Sequence, residues 1–243
     1  MRVLMFKLKM WWQALWAKTP KFRVTEVNGD VFVIPESFKG SSIYMKLKAG
    51  KVYEPHTIEA FREFYRGGNI VEAGAYIGDM LPMLSFFAGF RGDNRVYAFE
   101  PIELQHRLCH ANIILNNLEN VDLINLGLSN TTEKMWFSST GEQHGQTARV
   151  VMEGDQGDVF LNCTTLDEFE IPNVGLIHLD IEGQELNALY GARKTIIRDR
   201  PVIIVEANFL DDLDYEKFFI DLNYKKIKRV HNNLIYVPLN EKE

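Results

Sequence analysis

From residue 69 onward, short apolar runs alternate with stretches of helical spacing. Asn69–Ala73, Arg95–Glu100, Val121–Leu126, Val174–Asp180 and Pro201–Glu206 read as strands. Asp79–Gly89, Glu103–Asn116, Gln184–Ile197 and Leu213–Leu222 carry apolar residues at helical intervals. Pro82 falls in a first helical turn, where a missing N–H is tolerated. Strand–helix repeats of this length predict a doubly wound, mostly parallel sheet. Tyr224–Arg229 and Asn233–Pro238 follow, with His231-Asn232 between them. That gap holds no crossover helix, so the two predict an antiparallel hairpin. Residues 129–165 break the rhythm. Short alternating runs at Lys134–Phe137 and Val159–Cys163 surround a polar loop, Ser138–Gln146.

Ahead of the repeats, Asn28-Gly29 separates Val24–Val27 from Val31–Ile34, a strong hairpin signal. Residues 36–52 are poorly periodic. His56–Tyr65 predicts a helix through Ile58, Phe61, Phe64 and Tyr65, ended by Gly67-Gly68. Residues 1–66 are thus expected to supply an N-terminal helix, a hairpin and a cap helix, and residues 67–243 the main domain. Residues 1–23 carry Arg2, Lys7, Lys9, Lys18, Lys21 and Arg23, no acid, and Trp11, Trp12 and Trp16 among other apolar residues. No apolar run there approaches the ~20 residues that span a bilayer, and no signal-peptide cleavage site follows. The segment reads as a terminal helix packed on its own domain or on a second copy of the chain. The alternative is peripheral membrane contact through residues 1–20.

The 243 residues suit one large α/β domain with an extension. A net charge of −6 argues against a nucleic-acid partner, which would predict a basic domain. Cys109 and Cys163 form no C-x-x-C pair, so they read as free thiols in a reducing, cytoplasmic compartment.

In an open α/β sheet, ligands sit beyond the carboxyl ends of the strands. Those ends deliver Glu72 with the turn Gly74-Ala75-Tyr76-Ile77-Gly78, then Glu100-Pro101, Gly127-Leu128-Ser129, Asp180-Ile181-Glu182-Gly183, and Glu206-Ala207-Asn208. Carboxylates on one rim repel unless a ligand or cation compensates them. Gly74 allows a sharp turn and close approach of a ligand, and Gly78 leaves room where the helix begins. Glu100 is placed to accept hydrogen bonds from both hydroxyls of a ribose. The G-x-x-x-G spacing departs from the G-x-G-x-x-G of dinucleotide sites. Glu72 at the turn is wrong for a pyrophosphate, which wants backbone N–H groups and positive potential, and right for a cation. S-adenosylmethionine, with its sulfonium and ammonium groups, is therefore the expected cofactor over NAD.

Val71-Glu72-Ala73-Gly74-Ala75-Tyr76-Ile77-Gly78-Asp79, Val96-Tyr97-Ala98-Phe99-Glu100-Pro101, Thr165-Leu166-Asp167 and Leu179-Asp180-Ile181-Glu182-Gly183-Gln184-Glu185 resemble the FkbM family of S-adenosylmethionine-dependent methyltransferases. Asn112, Asn116-Asn117-Leu118 and Leu189-Tyr190-Gly191-Ala192 extend the resemblance, which covers roughly residues 50–210. It implies a seven-stranded Rossmann-like methyltransferase fold and methylation of a hydroxyl on a sugar, glycan or natural product. It places the cofactor against Glu72, Gly74, Ala75, Tyr76, Gly78, Glu100, Pro101, Gly127 and Leu128. The chain departs from the family at Glu72, where Asp is usual, and at His178, where Lys is common.

Asp180 then faces the transferred methyl group and is the leading candidate for the base. Its other reading is an ion pair or a helix cap. Glu182 could cap the helix starting near Gln184. Asp180, Glu206 and Asn208 are also oxygen ligands of a kind that suits Mg²⁺. His144, in the polar loop, could close over substrate or stay a solvated loop residue. His56, His106, His110, His178 and His231 show no pairing pattern. Two other readings compete: a module that binds the cofactor without turnover, and an NAD-dependent enzyme, which the glycine spacing disfavours. The partners expected are a small-molecule or glycan acceptor and a second copy of the chain.

Overall fold

A computed structural model describes residues 21–140, 147–150, 159–208 and 212–239. The readings placed on residues 1–20 and on His144 lie outside the described residues.

The chain opens with an antiparallel hairpin, β1 (Phe22–Val27) and β2 (Asp30–Pro35), turned by Asn28 and Gly29, both at positive φ. A 3₁₀ turn and a helix, α1 (Ser42–Lys48), follow in the stretch expected to be irregular. Ser41 caps α1 by accepting the Tyr44 N–H, and Ile43, Tyr44 and Leu47 face inward. Next comes α2 (Pro55–Phe64), with Pro55 in its first turn.

The alternation then runs β3 (Asn69–Ala73), α3 (Leu81–Phe90), β4 (Val96–Phe99), α4 (Glu103–Leu115) and β5 (Val121–Ile124). After an insertion come β10 (Val174–Leu179), α5 (Glu185–Gly191), α6 (Arg193–Asp199), β11 (Val202–Glu206), α7 (Asp212–Ile220), β12 (Tyr224–Val230) and β13 (Asn233–Pro238). These strands form a seven-stranded sheet in the order β12-β13-β11-β10-β3-β4-β5. The five strands from β11 to β5 run parallel, and β13 and β12 add the expected antiparallel hairpin at one edge.

The insertion contributes β6 (Gly127–Leu128), β7 (Glu133–Thr140), β8 (Thr147–Val150) and β9 (Val159–Thr164), a second sheet of four strands. The alternating runs had pointed to strands there. The return of β6 to pair with β9 is a tertiary choice. The helix expected over Gln184–Ile197 is broken at Ala192. Gly191 lies so near the Ser129 carbonyl that a Cβ would stand 2.0 Å from its oxygen. Asp167, remote in sequence, caps α6 by accepting the N–H groups of Lys194 and Thr195 at 2.9 and 2.8 Å.

Apolar side chains fill both faces of the sheet. Val71, Ile177, Leu179, Ile203 and Val205 pack under α5–α7, and Ile70, Ala98, Leu176 and Ile204 pack under α2 and α3. The front hairpin docks on α4 through two asparagines. Asn112 accepts the Val33 N–H at 2.7 Å and donates to the Ile77 carbonyl at 2.7 Å. Asn116 accepts from Val31 N–H at 2.7 Å and donates to its carbonyl at 2.8 Å. This docking brings α1 and the loop before α2 over the carboxyl edge of β3 and β10. Among the described residues, no helix is long and apolar enough to cross a membrane.

Candidate active site

A cavity of about 480 Å³ opens between that carboxyl edge, the front section and the small sheet. Its floor is the turn after β3. Gly74 there has φ +87°, and a Cβ on it would stand 1.9 Å from the Asp180 carbonyl oxygen. Only glycine fits so close an approach. The N–H groups of Gly74 and Ala75 both donate to the Phe99 carbonyl. The turn continues through Tyr76 at φ +52°, whose ring stacks on Phe38 from the front section.

Glu100 follows β4 and is 3% exposed. Its Oε2 accepts the Tyr76 N–H at 2.8 Å and its Oε1 the Ile102 N–H at 2.9 Å. Each oxygen keeps a second lone pair for a ligand hydroxyl. Burial holds this carboxyl up at about 8, against the pull of its two N–H donors.

Glu72 and His178 occupy paired positions on β3 and β10. They are 3% and 1% exposed, with Oε2 and Nδ1 2.8 Å apart. Burial opposes charge on the imidazole, but Glu72, then Asp180 and Glu54, outweigh it and raise His178 to about 9. The ring meets the edge of Phe61 with centroids 5.0 Å apart, and its Nε2 has no hydrogen-bond partner.

Asp180 follows β10 on the same face as His178, and its N–H donates to the Ala73 carbonyl. Glu206 ends β11 beside it. In its protonated form Asp180 donates to Glu206. Loss of solvent raises both carboxyls, and Glu206 drives Asp180 well above the usual carboxylate range. Asp79 on the cavity wall is pushed up to about 7, first by burial and then by Glu54, Glu72 and Asp180. Glu54 sits at the start of α2 with φ +43°. Its Oε2 accepts from Thr57, whose hydroxyl in turn accepts from Asn233.

The front section supplies Ser42, Ile43 and Tyr53 to the cavity, and the small sheet supplies Met135, Leu161 and Cys163. The Tyr53 phenol is raised by burial and by the carboxylates around it, so it stays protonated. One end of the cavity is therefore acidic and hydroxylic, and the other is apolar.

Of the residues expected to hold the cofactor, Glu72, Gly74, Ala75, Tyr76, Glu100, Pro101, Gly127 and Leu128 line this cavity. Gly78 does not. A Cβ there would meet the Cys109 sulfur at 2.9 Å, so its smallness serves the packing of α4 against the turn. Asp180 lines the cavity, Glu206 stands behind it, and Asn208 is exposed beyond β11. Among the described residues, no group of three or more His, Cys, Asp or Glu is disposed to hold a metal. The helix opening at Glu185 carries no side-chain cap at Gln184; instead Glu185 ties down the turn before it, its Oε1 accepting the N–H groups of Ile181 and Gly183 at 3.0 and 3.1 Å. His178, for which the sequence shows no pairing pattern, is bonded to Glu72. Part of the cation that Glu72 was expected to await is thus supplied by the protein. Tyr53, Asp79 and Glu54 had not been singled out as site residues.

A doubly wound sheet with this strand order and a cavity over the turn after β3 is the fold of the Rossmann-like methyltransferases. The methyltransferase FkbM domain matches residues 72–226, and the chain belongs to that family. Among solved structures, the methyltransferase FkbM from Methylobacillus flagellatus KT is 20% identical with a TM-score of 0.54, over 74% of this chain and 50% of that one. The chain thus spans about half the length of that relative. An rRNA methylase from Streptococcus thermophilus is 12% identical with a TM-score of 0.48, over 76% of this chain and 95% of that one. Aeropyrum pernix fibrillarin, in complex with natively bound S-adenosyl-L-methionine, is 14% identical with a TM-score of 0.46, over 89% and 82% of the two chains. No curated protein matches the sequence.

Proposed function

We propose that the chain is an S-adenosylmethionine-dependent O-methyltransferase acting on a hydroxyl of a sugar, glycan or natural product. The observation that carries this reading is the cavity itself. Its floor is a glycine turn pressed on the Asp180 backbone, and that turn is tied to a buried carboxylate, Glu100. A cradle that a Cβ would fill, beside an acidic wall, fits a cationic adenosyl cofactor.

Glu100 would hold the ribose hydroxyls through the lone pairs its N–H donors leave free. Pro101, Leu128 and the apolar wall from β7 and β9 would flank the adenine. Gly74, Ala75 and Tyr76 would follow the chain of the cofactor, with Asp79 and Glu72 facing its positive groups. When bound, the cofactor supplies a methyl group on a sulfonium, ready for in-line displacement.

The protein's own work is to orient and to move a proton. The Ser42–Ile43 wall and Tyr53 would hold the acceptor opposite Asp180. Fixing nucleophile and carbon in line contributes on the order of 7–11 kcal/mol at the upper end of proximity effects. Asp180 would take the hydroxyl proton, and Glu206 would accept a hydrogen bond from the protonated acid. Loss of solvent and Glu206 favour a proton on Asp180, and positive charge nearby would favour its release.

Isothermal calorimetry with S-adenosylmethionine and NAD tests the cofactor, with binding of the first alone expected. Incubating labelled cofactor with glycan and metabolite extracts tests the transfer, read as label and a mass increment of one methylene. Cofactor binding without label in any hydroxylated acceptor would favour a module without turnover.

A further inference from the structure

The front section carries an apolar, basic surface outside the cavity. On β1, Phe22 and Val24 point to one side, and Arg23 and Thr25 to the other. Arg23 and Thr25 tie the strand to α1, donating to the Tyr44 hydroxyl at 2.9 Å and to the Leu47 carbonyl at 2.8 Å. On α1, Ile43, Tyr44 and Leu47 turn inward, which leaves Met45 on the outer arc between Lys46 and Lys48. Phe22, Val24 and Met45 are 47%, 67% and 54% exposed, so water covers apolar side chains on both elements. We propose that this face docks on an anionic lipid bilayer.

Charge selects that partner. Residues 1–51 hold ten basic residues against three acids, and the rest of the chain holds seventeen against thirty. A negative surface therefore attracts the front section and repels the remainder, which orients the chain. Lys21, Lys39, Lys46, Lys48 and Lys51 are exposed, and Glu26 is the one exposed acid between residues 21 and 51. Glu36 is taken by Arg23 at 2.9 Å. Among the described residues no ion pair reaches any of those five lysines. Each can lay its aliphatic stem along an apolar layer and its ammonium among lipid phosphates.

Other occupants use only half of this chemistry. A nucleic acid would reward the lysines and leave Phe22, Val24 and Met45 with no apolar layer to enter. A second copy would cover the apolar residues but set the same lysines against each other. The twenty residues that lead into β1 continue the composition, with Arg2, Lys7, Lys9 and Lys18, no acid, and three tryptophans. Tryptophan is enriched where a bilayer meets water. Ser42, one helical turn before Met45 on the same face, lines the cavity. Docking thus sets one wall of the cavity beside the lipid headgroups.

The test sediments the full chain with vesicles of phosphatidylcholine alone and with vesicles containing about one third phosphatidylserine. Binding to the second should be at least about tenfold tighter at low salt and weaken as salt is raised. Lys46→Glu with Lys48→Glu and Lys51→Glu should lose at least about tenfold of that affinity. Phe22→Ser with Val24→Ser and Met45→Ser should weaken binding and leave its salt dependence in place. All six positions are exposed, and an unchanged melting temperature checks that each variant folds. Equal binding to the two vesicle types, or none, would overturn the proposal. Binding unchanged in both folded variants would assign it to residues 1–20 alone and overturn the role of this face. RNA that displaces the protein from vesicles while binding more tightly, or a dimer that the serine variant dissociates without any vesicle binding, would name another occupant and overturn it as well. Neither cofactor nor acceptor enters these measurements, so the docking and the proposed methyl transfer stand or fall separately.

Discussion

Glu100 accepts the Tyr76 N–H at 2.8 Å, so the carboxylate that follows β4 also holds the turn that follows β3. The ribose site and the cradle are one structure. Glu100→Ala should therefore weaken S-adenosylmethionine binding at least about tenfold, the size of one lost charge-assisted hydrogen bond. It should also lower the melting temperature, because two buried N–H groups lose their acceptor. Calorimetry and thermal melts check both, and an unchanged dissociation constant would contradict the assignment.

Stability of the cofactor-free protein should fall as pH rises. Asp79 and Glu100 are raised to about 7 and about 8 in the fold. Between their ordinary values and these, the native state binds more protons than the unfolded chain, so each rise in pH favours unfolding. His178 acts in the same direction. Its stabilising contribution is full below the ordinary histidine range and is lost as pH passes about 9. The melting temperature should drop by roughly 5 °C or more between pH 5 and pH 9. Binding of the cation should offset the loss, so the rise in melting temperature caused by S-adenosylmethionine should be larger at pH 8 than at pH 6.

Gly74→Ala should be far more damaging than a methyl group suggests. The added Cβ would stand 1.9 Å from a backbone oxygen, and φ is +87°. Neither backbone can yield without parting β3 from β10. A loss of about 3 kcal/mol or more is expected in urea unfolding, with cofactor binding abolished. A variant of wild-type stability would show that the two strand ends are not in contact.

Asp180→Asn should leave cofactor affinity within about threefold while lowering methyl transfer by roughly 10²–10⁴, the range of a lost general base. Transfer of label to the acceptor identified by the extract assay measures the rate. A rate unchanged across the pH range would remove Asp180 from that role.

Asn112→Ala should cost about 1–3 kcal/mol for each buried group left without a partner. Urea unfolding measures the loss, and limited proteolysis should show Phe22–Pro35 becoming the first segment cut.

Much of this architecture is legible in the sequence because it is written locally. Asn69–Ala73 and Asn233–Pro238 are apolar runs bounded by turns, and they form β3 and β13 over those same residues. Gly74 and Glu100 betray themselves by type and position. Other features arise only when distant segments meet. Glu72 and His178 are 106 residues apart, and nothing near either one announces the other. The alternation along β10 could have placed His178 on the face of Asp180, but the register with β3 is a property of the folded sheet. The break at Ala192 comes from Ser129 and Asp167, not from its neighbours. Helix α1 was missed because it spans only seven residues, too few for periodicity to show, although Ser41 marks its start. The small sheet has the alternation of strands, but its pairing order depends on how β6 returns to β9.

Asn112 on α4 and Asn116 at its C-terminal end reach β2 through its main chain. To the hairpin they look like the next strand of a ladder, offering an acceptor and a donor at the alternate residues Val31 and Val33. At Val31 and Val33 the hairpin is therefore held by its path, while Phe32 and Ile34 seat it by their side chains. Phe32 and Ile34 are held by the core they pack into with Ile77 and Leu108, whereas Val31 and Val33 are bound through their main chain. The same contacts fill the outer rim of β2, which would otherwise be open to pairing with a strand from another molecule.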